Sequence, residues 1–373
     1  MQITQIQVRK NNLDDVETTT LEFEPNDLSD GEIVLATQSF GFSANNITYA
    51  ALGEGMGYWG FFPASKDPSA WGVVPVWGFA QVTHSNHDQI AVGEKVFGYL
   101  PMASHLIVRP GKIGEYGFSD THPQRKSISP VYDSYLYCKK DPGYNAQRES
   151  WQLNFRPLFM TSFVLDEFVA QYLSQNGQQD IERDSKAILL SSASSKTALG
   201  TAFLLQANRQ ERPVQYQIIG LTSPNNVEFT KGLGCYDLVY SYDQLTSLPN
   251  AKSWLLDFAA NGSLIAGLQS KLGENLEKVT LIGATDWKAQ VKPNKKALDA
   301  EIFFAPHWVK ELNQSWGQAT FLQKYAAAWA NVAGKLEDQM HETQINGVDS
   351  IISLYKETLE GRADTKALNV VSF

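Results

Sequence analysis

Residues 187–205 read AILLSSASSKTALGTAFLL. An apolar run from Ala187 to Leu190 gives way to small and polar residues, and a helix-compatible stretch follows from Ala198 to Leu205. Strand, turn and helix in that order make the place where a dinucleotide's pyrophosphate usually sits. The start of the helix offers unpaired N–H groups and the positive end of its dipole. Yet the turn holds only Gly200, where the dinucleotide fingerprint has three glycines.

The same rhythm extends downstream. TSFVLDEFVAQYLSQNG (161–177) is predicted to be a helix, with apolar residues at Phe163, Val164, Phe168 and Tyr172. Then AILLSS, VQYQIIGLTS, YDLVYSY, SWLLDFAA, KVTLIGATD and AEIFFAP read as short strands separated by helical segments. Strands alternating with crossover helices imply a parallel, doubly wound sheet. Upstream the pattern differs. IQVRKNN, TTTLEFEP, EIVLATQSFGF, WGVVPVWGFAQVTHS, EKVFGYLP and ASHLIVRP are strand-like runs broken by Gly, Pro, Asn and Asp, as in a small barrel or sandwich. Residues 111–155 show no clear period and read as a long excursion or lid. Helix returns at 308–336 and 345–360, and KALNVVSF closes the chain as a strand.

A length of 373 residues exceeds the usual single-domain size. The predicted division is a β-rich domain over 1–158 with its insert at about 111–155, an α/β domain over 159–305, and a segment, 306–373, that returns to the first domain. Hydrophobic content of 43% supports packed cores, and 19% charged residues argue against disorder. A formal net charge of −9 argues against nucleic acid and against a basic membrane-surface patch. MQITQIQVRKNN has no apolar signal region, and no apolar run reaches the roughly 18–20 residues that span a bilayer. Cys138 and Cys235 are too few for a disulfide framework or a CxxC-type zinc site. A cytoplasmic protein acting on a small molecule is the simplest expectation.

Five stretches in register give the chain a family resemblance. EIVLATQSFGFSANN (32–46), VVPVWGFAQVTHSNHDQIAVGEKVFGY (73–99), SSASSKTALGTAFLLQA (191–207), IIGLTSPNNVEFTKGLGCYDLVYSYD (218–243) and INGVDSIISLYKETLEGRADTKALNVV (345–371) carry it. In order and character they resemble the medium-chain dehydrogenase/reductases, in their zinc-free, quinone-reductase-like branch. The polar loop is similar to that of an uncharacterised subfamily. The resemblance implies a GroES-like catalytic domain, a Rossmann domain, an active site in the cleft between them, and NADP(H)-dependent reduction of a quinone, enone or carbonyl by hydride transfer. It also implies a homodimer.

The chain departs from that pattern at two places. The zinc-dependent branch has a Cys in the early loop and a Gly-His-Glu motif on the next strand. Phe42-Ser43 and Trp77-Gly78-Phe79 stand there instead, and Ser, Trp and Phe are not zinc ligands. His84 and His87 read as a surface pair, so no metal is expected. In the nucleotide loop, Ser194, Thr197 and Gly200 occupy the places of an A-x-x-G-x-x-G pattern. A side chain at Thr197 crowds the backbone against a pyrophosphate. Hydroxyls of Ser192, Ser194, Ser195 and Thr197, with the Lys196 ammonium, can compensate. The competing reading is that Ser and Thr only cap the helix and that Lys196 is solvated.

The second strand ends in Thr222-Ser223-Pro224-Asn225-Asn226, without the acid that binds a ribose 2′-hydroxyl. This favours NADP(H), with NAD(H) as the alternative, and Lys231 and Lys196 are the cations offered to a 2′-phosphate. Without zinc, a phenol or hydroxyl must polarise the substrate. Tyr49, with Asn46 beside it, is the first candidate by resemblance, and a packing tyrosine is the competing reading. Thr161 is expected near the nicotinamide or, with Ser162, as a helix cap. In GEGMGYWGFFP (53–63), Tyr58 and Trp59 offer flat faces to a flat apolar substrate, or else pack a mobile loop. The sparse glycine also admits a non-catalytic nucleotide sensor or scaffold on the same fold.

Overall fold

The computed structural model describes residues 1–123, 131–176, 186–258, 261–282 and 300–373. Residues 124–130 of the insert and 283–286 of the strand expected at KVTLIGATD lie outside them. The chain divides into two compact units, Met1–Asn154 with Met340–Phe373, and Phe155–Gln339.

The first unit is β-rich. β1 (Gln2–Arg9) and β2 (Asn12–Glu22) form an antiparallel hairpin, from which β3 (Ile33–Gly41) leads into α1 (Ala44–Ala51). β4 (Trp71–Gly72) pairs with β1, and β5 (Pro75–Ser85) runs antiparallel between β3 and β6 (Lys95–Pro101). The insert is less irregular than expected. After β7 (His105–Val108) it adds β8 (Pro110–Gly111), β9 (Gly117–Asp120) and β10 (Ser134–Tyr137), which extend the sheet beyond β6, and then α2 (Glu149–Asn154). The deeper strands are apolar on both faces: in β5, Val76, Phe79, Ala80 and Val82 are buried.

The second unit is a Rossmann-like α/β layer, so the mixed fold class is the one expected. α3 (Arg156–Asn176) precedes β11 (Lys186–Leu190), and α4 (Lys196–Asn208) connects it to β12 (Tyr216–Thr222). α5 (Val227–Gly232), β13 (Leu238–Ser241), β14 (Ser253–Asp257), α6 (Gly262–Leu272), β15 (Leu276–Leu281) and β16 (Ala300–Ile302) follow. All six strands are parallel, in the order β13-β12-β11-β14-β15-β16. Their centres are nearly continuous apolar runs because both faces are covered. Leu189, Ile219, Leu255 and Val279 are buried in one cluster with Leu264 and Leu268 of α6.

Two boundaries differ from the sequence reading. α7 (Ala305–Trp316) and α8 (Gln318–Leu336) belong to the second unit and not to the returning segment. They are two helices, broken at Gly317, whose φ of +81° suits glycine alone. Trp316, Phe321 and Tyr325 pack their rings on Phe163 of α3. Only after Gln339 does the chain rejoin the first unit, as β17 (His341–Asn346), α9 (Val348–Leu359) and β18 (Ala367–Ser372), with β17 and β18 parallel.

Candidate functional site

β11 and β14 lie side by side although the chain visits β12 and β13 between them. Such a reversal leaves a crevice beyond the carboxyl ends of the strands, which is where open α/β sheets bind ligands. The polar loop 191–195 occupies that place. Ser191 donates to Oδ1 of the fully buried Asp257 at 2.5 Å, and the Phe258 N–H donates to Ser191 Oγ at 2.8 Å, tying the ends of β11 and β14 together. Ser192 takes φ +46°, a conformation that glycine adopts freely and other residues adopt at a cost. Its N–H donates to Tyr242 Oη at 2.9 Å, which fixes the turn.

Ser195 caps α4, its Oγ accepting from the Ala198 N–H at 3.4 Å. Ser194 is buried, and its Oγ accepts from Thr222 Oγ1 at 3.3 Å and from Asn226 Nδ2 at 3.1 Å. A hydroxyl that accepts from the protein keeps its own proton for another acceptor. Ser194 and Ser195 therefore remain donors at the start of α4. Lys196, the first residue of that helix, is not solvated: it is only 7% exposed. A cation and hydroxyl donors at the start of a helix suit an anionic group.

Gly200, the last glycine of the A-x-x-G-x-x-G pattern, stands against α3 and not against a strand. A Cβ there would come 2.6 Å from Ser162 Oγ and 3.1 Å from Phe159 Cδ2, so the glycine lets α4 pack on α3 instead of on a strand. Ser162 locks that contact by donating to the Thr197 carbonyl at 2.8 Å. Neither Ser162 nor the half-buried Thr161 can cap a helix, because α3 begins at Arg156 and both lie inside it. At the ribose end, Ser223 Oγ accepts from Asn226 Nδ2 at 3.1 Å, giving Thr222, Ser223, Asn226 and Ser194 a shared network. Lys231 sits on the exposed face of α5, paired with Glu228 at 3.0 Å. Asn226, Tyr242 and Asp257 are the site neighbours that sequence reasoning missed.

The other candidates gather in the first unit, in an aromatic cluster. β5 and β6 place Trp77 opposite Tyr99 and Phe79 opposite Phe97. Tyr49 of α1 is buried, with ring centroids 4.8 Å from Tyr58 and 5.5 Å from Tyr99. Tyr58 Oη lies 3.2 Å from Tyr132 Oη, and Tyr132 reaches Tyr99 at 4.9 Å. Burial raises the phenol pKa of all four tyrosines, and neighbouring phenols add to it for Tyr49, Tyr99 and Tyr132. They are proton donors throughout the physiological range. Trp77 Nε1 donates to Tyr49 Oη at 3.2 Å, and this bond, with those of Asn45 and Tyr99, pulls the Tyr49 pKa back down.

Asn46, the expected partner of Tyr49, is used elsewhere. Its Oδ1 accepts from the Ser43 N–H at 2.9 Å in a capping box, and its Nδ2 donates to the Pro75 carbonyl at 3.0 Å. Asn45, four residues before Tyr49, takes that part instead. Trp59 fills a slot between two glycines: a Cβ on Gly53 would come 2.2 Å from its ring, and one on Gly72 2.3 Å. Stretch 58–62 is a packed aromatic layer, with Tyr58, Trp59, Phe61 and Phe62 all buried.

Both cysteines are buried thiols, and burial pushes Cys235 up to about 12. Among the described residues no group of three or more His, Cys, Asp or Glu side chains is placed to hold a metal ion, and no helix is long and apolar enough to cross a membrane.

A β-rich unit joined to a six-stranded Rossmann unit, with the chain end returning to the first, is the medium-chain dehydrogenase/reductase fold. The Etr1p/NADP/crotonyl-CoA complex matches over 100% of both chains at 15% identity, with a TM-score of 0.57. The mitochondrial 2-enoyl thioester reductase Etr1p/Etr2p heterodimer from Candida tropicalis gives the same values. CurA from Vibrio vulnificus in complex with NADPH matches 99% of this chain and 98% of its own at 14% identity, with a TM-score of 0.54. At such identities the likeness is one of fold. Within that fold the sequence is more specific: residues 40–364 match the family described as protein of unknown function DUF2855, and the chain belongs to it. No curated protein matches the sequence.

Proposed function

We propose that the protein is an NADP(H)-dependent oxidoreductase, working without zinc, that reduces a quinone, an enone or a carbonyl by hydride transfer. The observation that carries this reading is the buried Lys196 at the first position of α4, beside two serines that retain their protons, at the reversal point of the sheet. Those groups suit a pyrophosphate. Thr222, Ser223 and Asn226 suit the adenosine ribose, and no acid stands among them to repel a 2′-phosphate. Solved relatives by fold in complex with NADP or NADPH support the same coenzyme. One of these was solved with crotonyl-CoA, and another fold relative is a 2-enoyl thioester reductase, which favours an activated alkene within the substrate class.

When bound, the dinucleotide supplies hydride. The chain's residues hold it and complete the reduction. Ser194, Ser195 and Lys196 grip the phosphates, and α3 sets the position of α4 through Ser162 and Gly200. Tyr49, kept protonated by burial, gives the proton that the reduced substrate needs. The homodimer and the cytoplasmic setting belong to the same reading. Replacing Lys196 by Ala is expected to weaken NADPH binding about tenfold or more, by loss of a charge-assisted contact. Calorimetric titration of both proteins checks it, and an unchanged dissociation constant removes Lys196 from the site.

A further inference from the structure

Trp77 stands beside the candidate proton donor Tyr49. It lies on β5, half-buried, with its ring stacked on Phe97 at 5.9 Å and 19° and facing Tyr99 across the ladder. These contacts leave the indole one orientation, in which Nε1 is 3.2 Å from Tyr49 Oη. An indole N–H only donates. The Tyr49 oxygen must therefore accept on its β5 side, and its own proton is turned away from that strand.

Three further rings stand around the phenol. Tyr58 lies at 4.8 Å, Tyr99 at 5.5 Å and Tyr132 at 6.5 Å from the Tyr49 ring.

We propose that Trp77 is the positioning residue for Tyr49: its N–H orients the phenol so that the proton points at the reacting atom, and holds the phenolate oxygen once the proton has left. This rests on the reading of Tyr49 as proton donor. In that step the Tyr49 O–H bond breaks and its electron pair stays on the phenolate oxygen, beside Trp77 Nε1. The proton joins the substrate atom made basic by the two electrons received with hydride from the reduced nicotinamide dinucleotide. Solvent later returns a proton to Tyr49.

The test compares Trp77→Phe, Tyr49→Phe and the double variant in NADPH-driven reduction of an enone. A benzothienylalanine at position 77, which keeps the bicyclic ring and lacks only the N–H, guards against loss of packing in the Phe variant. Without the N–H, kcat is expected to fall roughly 10- to 100-fold, at or below the loss of an oxyanion donor. KM for both substrates stays within about twofold, and the solvent deuterium isotope effect rises, as expected when the proton step limits the rate. The double variant is no slower than Tyr49→Phe. In the 15N–1H spectrum, the Trp77 indole resonance moves when Tyr49 becomes Phe. A full kcat in both N–H-deficient proteins, with Tyr49→Phe impaired, overturns the role of Trp77 alone. A full kcat in Tyr49→Phe overturns the reading of the site with it. A loss at position 77 that repeats in the Tyr49→Phe background assigns Trp77 to packing and overturns the proposal.

Discussion

Raising the pH above about 10 is expected to unfold the first unit cooperatively, together with the ionisation of its buried tyrosines. Tyr49, Tyr58, Tyr99 and Tyr132 have folded-state pKa values raised above the ordinary phenol value of about 10, burial being the largest cause in each. A group whose folded pKa is raised stabilises the fold fully below its unfolded pKa and loses that contribution as pH climbs toward the folded one. Above pH about 10 the unfolded chain therefore binds fewer protons than the folded chain, and stability falls with pH. Each phenol removes at most about 1.4 kcal/mol per pH unit, so four together remove up to about 6 kcal/mol per unit. That is comparable with the whole stability of a typical domain. Absorbance at 295 nm and circular dichroism, followed together between pH 9 and 12, should change in one transition. A smooth tyrosine titration near pH 10 with the fold intact would contradict the closed cluster.

The second large effect is expected at Asp166. This carboxylate of α3 is 2% exposed and accepts from Arg212 at 2.6 Å and from Asn208 Nδ2 at 2.7 Å. Burial raises its pKa, against the opposing pull of Arg212. Asp166 stands one turn after Ser162, so the same face of α3 that grips α4 at Gly200 also anchors the chain beyond α4. Asp166→Ala leaves the Arg212 guanidinium without its buried counter-ion, which costs about 3–5 kcal/mol. The unfolding midpoint should drop by roughly 10 °C. Asp166→Leu combined with Arg212→Met should recover most of that loss, because no buried charge remains unpaired. A midpoint unchanged in Asp166→Ala would show that the pair contributes nothing to holding α3 in place.

Much of the fold was legible because the parallel strands are buried on both faces and read as apolar runs. AILLSS, QIIGLT and SWLLD are the centres of β11, β12 and β14. β17, HETQIN, has no buried residue and gives no such signal. The long helix expected at 308–336 divides where Gly317 needs a positive φ, and its place in the second unit depends on aromatic contacts with α3 that no local pattern announces.

The site was legible in its loop and obscure in its partners. Ser194, Ser195 and Lys196 stand out as a polar cluster at a strand end, but Tyr242, Asp257 and Asn226 meet them only through the sheet order. In α1 the choice between Asn45 and Asn46 was readable, since Ser43 and Asn46 have the spacing of a capping box and Asn45 the i,i+4 spacing to Tyr49. The glycines of 53–63 suggested a mobile loop, whereas Gly53 makes room for the Trp59 ring.

The most direct test of the central claim is titration of the purified protein with NADPH and with NADH, followed by thermal unfolding. The account predicts that NADPH at 100 times its dissociation constant stabilises the fold by about 2.7 kcal/mol, with NADH binding more weakly. No shift with either dinucleotide at millimolar concentration would contradict it.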